Sequence, residues 1–546
     1  MIKFFKRLFI SKATKRKLRK LNNDSVDHLK DLEKKKASLF YQINFNKERS
    51  NSFLNDYAEN EDARIEVMSI ILEDSIESYK SLKIEIEDIK KQLENQEVEE
   101  VEEPNEALKA FPSAKGAGCY ATGGRNKPNY YVTNLRDNGA GSFRQSLENT
   151  KSTNGGNIIF NVSGTIKLTS KIAFSNADNI TIYGQSAPVG GIATANFNVI
   201  FQNVNNLIMR YVKFRPQLSV NSEIDAFEIF QSNNYIIDHC SFSWGTDEVA
   251  NSGEGSNYTW QRNLFAESKS TGMIIGGEAS LSDNLSFLEN VFYNCSHRFP
   301  NWQSDGRVDI INNIAWSFRS QISVPSGVFK VNHINNYYRY FTDNPPSTVN
   351  KGMMYQPTNS QIKFPSIHTK GNYVNDVLTD PNADNWSIWR WRFNPSGTVY
   401  SGAGNESALT RDFKKDDEFA QLGEKLEYQS SVSAFDNIPK DVGANKAMNN
   451  SGVLIFEQDA PDNIYTSNIV NETLVSYTQD SNLQTQHYTD YQNAVSSTPI
   501  NIRPSGYSTL NDGICDEWRD ENMINNQLSN DVDLIGYTYL ERFMNQ

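Results

Sequence analysis

Oxygen-bearing side chains cluster in the middle of the chain: Glu223 and Asp225 in SEIDAFEI, then Asp247, Glu248 and Asn251 in GTDEVAN. Spaced two apart, Glu223 and Asp225 would share one face of a strand. The second group follows one repeat of the chain later, and strands stacked ~4.8 Å apart would let the two groups converge. Hard oxygen donors of this kind suit Ca2+. The plainer alternative is a solvated face of carboxylates, the usual fate of such residues. An acid pair across a cleft is also what a glycosidase uses, and Asp225 with Asp247 could imitate that pair.

Other chemistry-bearing residues are weaker candidates. Asp238 and His239 in IIDHCSFSW suggest a dyad, but neighbours in a strand point to opposite faces, so they are not expected to cooperate. His239 reads instead as a hydrogen-bonded interior or stacking histidine. His297 could line a cleft, although a lone histidine is more often structural. The glycines of TGGR and GEGSN lack a following helix pattern, which argues against a phosphate-cradling loop. Cys119, Cys240, Cys295 and Cys515 form no CxxC pair and read as buried free thiols.

The elements that must position these residues differ along the chain. At ~150 residues per domain, 546 residues would make about three to four domains unless one long repetitive fold absorbs them. No apolar run approaches the ~18 residues of a membrane span. The formal charge is −13, and because residues 1–20 hold nine cations and no acid, the remainder carries −22. Such a body repels nucleic acid and would need a cation to hold an anionic polymer. Basic residues interrupt the opening apolar stretch and no small-residue cleavage site follows, so a secretory signal is not expected.

Residues 22–98 contain neither Gly nor Pro and are rich in Lys, Glu, Leu and Ile, which predicts a long helix. Ile65, Leu72, Tyr79, Ile86 and Leu93 keep a seven-residue frame, with Met68, Ser75, Leu82 and Ile89 at the second core position. Leu29, Leu32, Leu39, Ile43, Phe53 and Tyr57 fit a frame one residue out of step, which implies a stutter near residues 58–64. The expectation is a coiled-coil stalk that associates with copies of itself, with a trimer as the guess, against a solvated single helix or a helical hairpin. A basic tip at 1–21 precedes it, and an acidic linker at 99–110 follows.

From residue 111 the period changes. Short apolar runs recur as NITIYG at 179, NLIMRYVKF at 206, NYIIDHCSF at 234, NYTWQRNLF at 257, NLSFLENVF at 284, VDIINNIAW at 308 and FKVNHINNYY at 329. Successive starts lie 27, 28, 23, 27, 24 and 21 residues apart, too long for a sandwich of short strands and right for a solenoid of coils. Asn at one corner could ladder its amide along the stack. Residues 381–546 are less periodic and are expected to pack along the solenoid or cap its end.

The ordered segments FPSAKGAGCYATGGRNKPNYYVTNLRDNGAGSFRQSLE, IIFNVSGTIKL, ITIYGQSAPVGG, VKFRP, IIDHCSFSWGTDE and HTKGNYV resemble the pectate lyase family over roughly residues 110–380. The resemblance implies a mainly β chain built as a right-handed parallel β-helix, here preceded by the helical stalk. It also implies a Ca2+-dependent enzyme that cuts an acidic, uronate-containing polysaccharide by β-elimination. Carried over position by position, Glu223, Asp225 and Asp247 fall on the family's calcium positions, and Asn251 falls where relatives often have a second acid. Arg298, followed by Pro300, matches the family's base. Lys269 lies near the lysine that grips a substrate carboxylate.

Two departures stand out. Relatives place a second arginine close behind the proline, whereas Asn301, Trp302 and Gln303 follow here and the next arginine is Arg307. Trp302 could stack on a sugar ring, and Arg307 could replace Lys269 at the substrate carboxylate. A stalk joined to a β-helix is the architecture of a viral tail spike, which places the expected enzyme on a virion surface or outside the cell by a route other than a signal peptide. The rival readings are a non-catalytic glycan-binding spike or adhesin and, less favoured, a glycoside hydrolase on the same fold.

Overall fold

The computed structural model describes residues 108–216, 223–268, 270–276, 281–342, 352–355, 365–391, 414–475, 489, 491, 493–496, 498–524, 527–533 and 535–546. The expected basic tip, the stalk and most of the linker lie outside these residues, as does Lys269. Two units are distinguished. One comprises Ala107–Asn530 with Thr538–Asn545 and holds the whole coil. In the other, the described residues fall within Asp531–Tyr537 and at Gln546, and there the Asp533 carboxylate accepts from the backbone N–H groups of Ile535, Gly536 and Tyr537 at 2.8, 2.8 and 3.0 Å.

The large unit is a right-handed parallel β-helix with three walls, the second of which is nine strands deep. The first wall contains the recurring runs seen in the sequence: Ser232–Asp238, Gly255–Gln261, Ser282–Leu288, Arg307–Ile311, Lys330–Ile334 and Ser366–Lys370. Leu207, Tyr235, Tyr258, Leu285, Val308, Val331 and Ile367 stack in register along it. Alternation explains the sequence pattern. Leu207, Met209, Tyr235 and Ile237 enter the central core, while Ile208 and Ile236 face outward and are covered by Ala110, Phe111, Ala114, Cys119 and Ala121.

From the strand Val199–Arg210 onward, each turn leaves the first wall through one residue in the left-handed conformation: Tyr211, His239, Arg262, Glu289, Asn312, Asn335 and Gly371. In most turns the next residue is Asn, and Asn263, Asn290, Asn313, Asn336, Asn372 and Asn385 pass an amide hydrogen bond from side chain to side chain at 2.9–3.2 Å. Each of these amides is buried and also satisfies backbone groups, which is why the corner tolerates a polar side chain. A second, more exposed ladder joins Asn179, Asn206 and Asn234 at the start of the first wall.

The second wall runs from Gly164–Lys167 to Tyr373–Val374 and stacks Phe214, Phe242, Phe265 and Phe292 with centroids 4.7–5.4 Å apart. Burial of each such ring contributes about 2–3 kcal/mol. The outer face of this wall is covered by Ala434, Ile438, Val442, Tyr465 and Ile469. Arg215 fastens that covering segment through Asp459 (2.6 and 2.9 Å) and Asp462 (2.8 Å). The region after residue 381 therefore packs along the outside of the solenoid in several places, including Leu426 against the first wall and Trp518, Leu540 and Phe543 against its early turns. All four cysteines are free and buried.

The third wall is formed by the first halves of Ile172–Tyr183 and Val199–Arg210, then by Phe227–Phe230, Glu248–Ser252, Thr271–Ile275 and Asn301–Trp302. Glu248 opens one of these strands, and Asp225 and Asp247 lie just ahead of two of them.

Candidate functional site

Segments that lead into the third wall bring the acids together. Thr246 ties two successive turns, its N–H donating to the Ile224 carbonyl (2.7 Å) and its hydroxyl oxygen accepting from the Ile224 N–H (2.8 Å). Asp225 caps the next strand, its Oδ1 accepting from the Glu248 N–H at 2.9 Å. Gly245 is required in this turn, because a Cβ there would sit 1.9 Å from the Glu248 carbonyl oxygen. The chain bends at Thr246 and Asp247 before the strand begins at Glu248. As a result the carboxylates of Asp225, Asp247 and Glu248 offer oxygens that all lie within 4.8 Å of one another.

Arg298 reaches the same place from two turns further along. Its carbonyl accepts from Met273 N–H (2.9 Å) and its N–H donates to Ile322 O (3.0 Å), so both neighbouring turns hold its backbone. Gly272 permits the approach, since a Cβ there would lie 2.3 Å from the Arg298 carbonyl. The residue is left-handed at φ +71°, and the guanidinium Nη1 contacts Glu248 Oε1. The same Oε1 accepts from the Thr271 hydroxyl at 3.1 Å.

The electrostatics follow from burial. Asp225 is pushed up to about 8, first by burial and then by the charges of Glu228 and Asp247, while a hydrogen bond from Asn251 and the charge of Arg298 pull the other way. Burial lowers the Arg298 guanidinium from its ordinary value against the pull of Asp247 and Asp225. The direct Glu248 contact also favours its charged form. Three crowded carboxylates of hard oxygen, one of them forced toward its neutral form, match the donor chemistry of a site for Ca2+.

The sequence-derived residues fall out differently. Asp225 and Asp247 come together, with Asn251 hydrogen-bonded to Asp225. Glu223 does not join them. It is exposed, and because the strand starts only at Phe227, the two-residue alternation that paired it with Asp225 does not apply. Glu248 takes part instead, because the bend at Asp247 lets consecutive acids reach one spot. The TDE run carried that signal. Trp302 does not face a sugar: it is 1% exposed and packs inside the coil against Phe329, while Asn301 takes the outward position of this two-residue strand. Arg307 begins a strand of the first wall, where it donates to Ala420 O (2.8 Å) and lies over the Phe419 ring, so it is engaged away from the acids. Asp238 and His239 do meet, at 2.9 Å, because left-handed His239 (φ +49°) breaks strand alternation. His239 stacks on Tyr211 with centroids 4.9 Å apart, as a structural histidine would.

No family model matches the chain. Among curated proteins it is similar to the probable pectate lyase C of Aspergillus fumigatus, with 35% identity over 213 residues, 39% of this chain and 49% of that protein. The probable pectate lyase C of Neosartorya fischeri is 31% identical over 285 residues, 51% of this chain and 62% of that protein. The chain thus spans about half the length of the first of these relatives. Among solved structures, a pectate lyase from Bacillus sp. N165 in complex with trigalacturonate aligns with a TM-score of 0.44 and 17% identity, covering 60% of this chain and 98% of that one. The cedar pollen allergen jun a 1 aligns with a TM-score of 0.41 and 19% identity, covering 60% and 92%.

Proposed function

We propose that the protein is a Ca2+-dependent polysaccharide lyase that cleaves a uronate-containing chain, such as pectate, by β-elimination. The observation that carries this reading is the convergence of Asp225, Asp247 and Glu248 on one point beside the Arg298 guanidinium. The similarity to probable pectate lyases supports the substrate class.

Elimination requires removal of the proton on C5 of a uronate, which is weakly acidic until the adjacent carboxylate is neutralised. Asp225, Asp247 and Glu248, with the Asn251 amide oxygen, would hold Ca2+, which when bound supplies the positive charge that neutralises that carboxylate. Arg298 is the base. It takes the C5 proton, the C–H electrons form the C4–C5 double bond, and the C4–oxygen bond breaks, the oxygen leaving with the electron pair and taking up a proton to become a hydroxyl of the departing sugar. No water is consumed, so one new end is unsaturated. Partial burial of Arg298 works toward this role by disfavouring its charged form.

The test is ultraviolet absorbance of the conjugated unsaturated product on a panel of acidic polysaccharides, with and without chelator. Chelator-sensitive product from a uronate polymer is expected, and its absence from every polymer would overturn the reading. The second reading is a non-catalytic glycan-binding protein on the same coil. It is favoured by Asn301–Trp302–Gln303 following Pro300, which puts no second guanidinium there. It expects retained glycan affinity with no unsaturated product. The heptad frame of residues 65–93 supports display of the catalytic unit on an oligomeric stalk, the arrangement of a virion-borne depolymerase.

A further inference from the structure

Glu248 stands outside the ligand set that the sequence resemblance implies, yet two separate observations place it at the centre of the site. It is one of the three carboxylates that converge, and it is the residue that holds the Arg298 guanidinium. One oxygen, Oε1, takes both the Arg298 and the Thr271 contacts. That arrangement puts the proposed base on a partner that favours its charged form. It also leaves the acidic group balanced by a cation that belongs to the chain itself. Asn251, an amide where an acid would add charge, leaves Glu248 as the third carboxylate available.

We infer that Glu248 exchanges Arg298 for the divalent cation. Without the ion, Glu248 tethers the guanidinium over the acidic group and offsets its charge. When the ion is held by Asp225 and Asp247, Glu248 turns its oxygen to it, and Arg298, now beside a second cation, is released toward the substrate. Glu248 is therefore a positioning residue that couples metal occupancy to the freedom of the base. This rests on reading the acidic group as a cation site, but it concerns binding and so can be tested apart from turnover.

The experiment is calorimetric titration of Ca2+ into the full chain and into Glu248→Gln, Arg298→Gln and the double variant. Competition for Glu248 predicts that Arg298→Gln tightens Ca2+ and Glu248→Gln weakens it, each by about 10-fold, within the usual span of coupling between bound groups. In the Glu248→Gln background, Arg298→Gln should then change affinity by less than about 3-fold, since the two effects act through one contact. Equal tightening by Arg298→Gln with and without Glu248 would show through-space charge alone and overturn the exchange. So would a Glu248→Gln variant that binds as tightly as the parent. A second measurement needs no variant: arginine-specific labelling of the parent chain, mapped by mass spectrometry, should rise several-fold at Arg298 on adding Ca2+. Unchanged or reduced labelling would contradict the inference. Absence of Ca2+ binding by the parent would instead sink the cation reading on which the proposed function depends.

Discussion

At Arg298, burial and the surrounding acids act in opposite directions, and the balance decides whether a guanidinium can accept a proton. Arg298→Lys keeps a cation but loses the planar fork, and it should reduce the elimination rate by roughly 100-fold or more, as expected for loss of a proton-transferring group. The unfolding midpoint should barely move, because both backbone contacts of residue 298 survive. Trp302 makes the opposite prediction. As a core side chain, Trp302→Ala should cost about 3–5 kcal/mol of stability by chemical denaturation. Trp302→Phe should leave glycan affinity unchanged, whereas a sugar-stacking residue would lose it. The misreading of Trp302 has a physical cause: in a two-residue strand, a shift of one position exchanges inside for outside, and nothing in NWQ marks the register. Asp225 and Asp247 were legible because they belong to successive turns. Glu248 was legible as one acid of that group but lies outside the calcium set that the resemblance implies, whereas Glu223 was placed by an alternation that does not hold where no strand has begun.

Single residues gain their positions from the corners of the coil. The recurring apolar runs revealed the first wall and its spacing, since its inward positions are apolar in all but the last turns, where His333 and Thr369 enter the same column. The corner amides were legible only as a general expectation, and two ladders exist, one buried and one exposed. The left-handed residue that opens each buried corner carries no fixed sequence signature, being Tyr211, His239, Arg262, Glu289 or Asn312 in turn. This is why the contact between Asp238 and His239 was missed. Asn313 occupies the middle of the buried ladder, accepting from the Asn290 N–H and amide and donating to Phe287 O and Asn336 Oδ1. Asn313→Ala leaves several of these buried groups without partners and should destabilise the coil by about 3 kcal/mol. Denaturation that matches the parent within error would mean that the ladder contributes no net stability.

Across the whole molecule, one buried histidine sets a pH limit. His333 is fully enclosed, with Nε2 2.9 Å from the Tyr338 hydroxyl, and burial pushes it down to about 3. The unfolded chain protonates the same imidazole near ~6.5, so between these values the unfolded state binds the extra proton. Stability is therefore full above about pH 6.5 and falls as pH drops toward 3, by about 1.4 kcal/mol per pH unit from this residue. Chemical denaturation at pH 7 and pH 5 should differ by about 2 kcal/mol more in the parent than in His333→Gln. The heptad frame, legible in sequence and lying outside the described residues, makes a separate claim: sedimentation of the full chain should give an oligomer, and Leu82→Asp with Ile86→Asp should shift it toward monomer. The central claim, that acids and a guanidinium on one wall perform elimination, is tested most directly by digesting polygalacturonate in heavy-oxygen water and weighing the products. Unsaturated fragments without label are predicted. Saturated fragments that carry the label would mean that water attacks, and would contradict the lyase account.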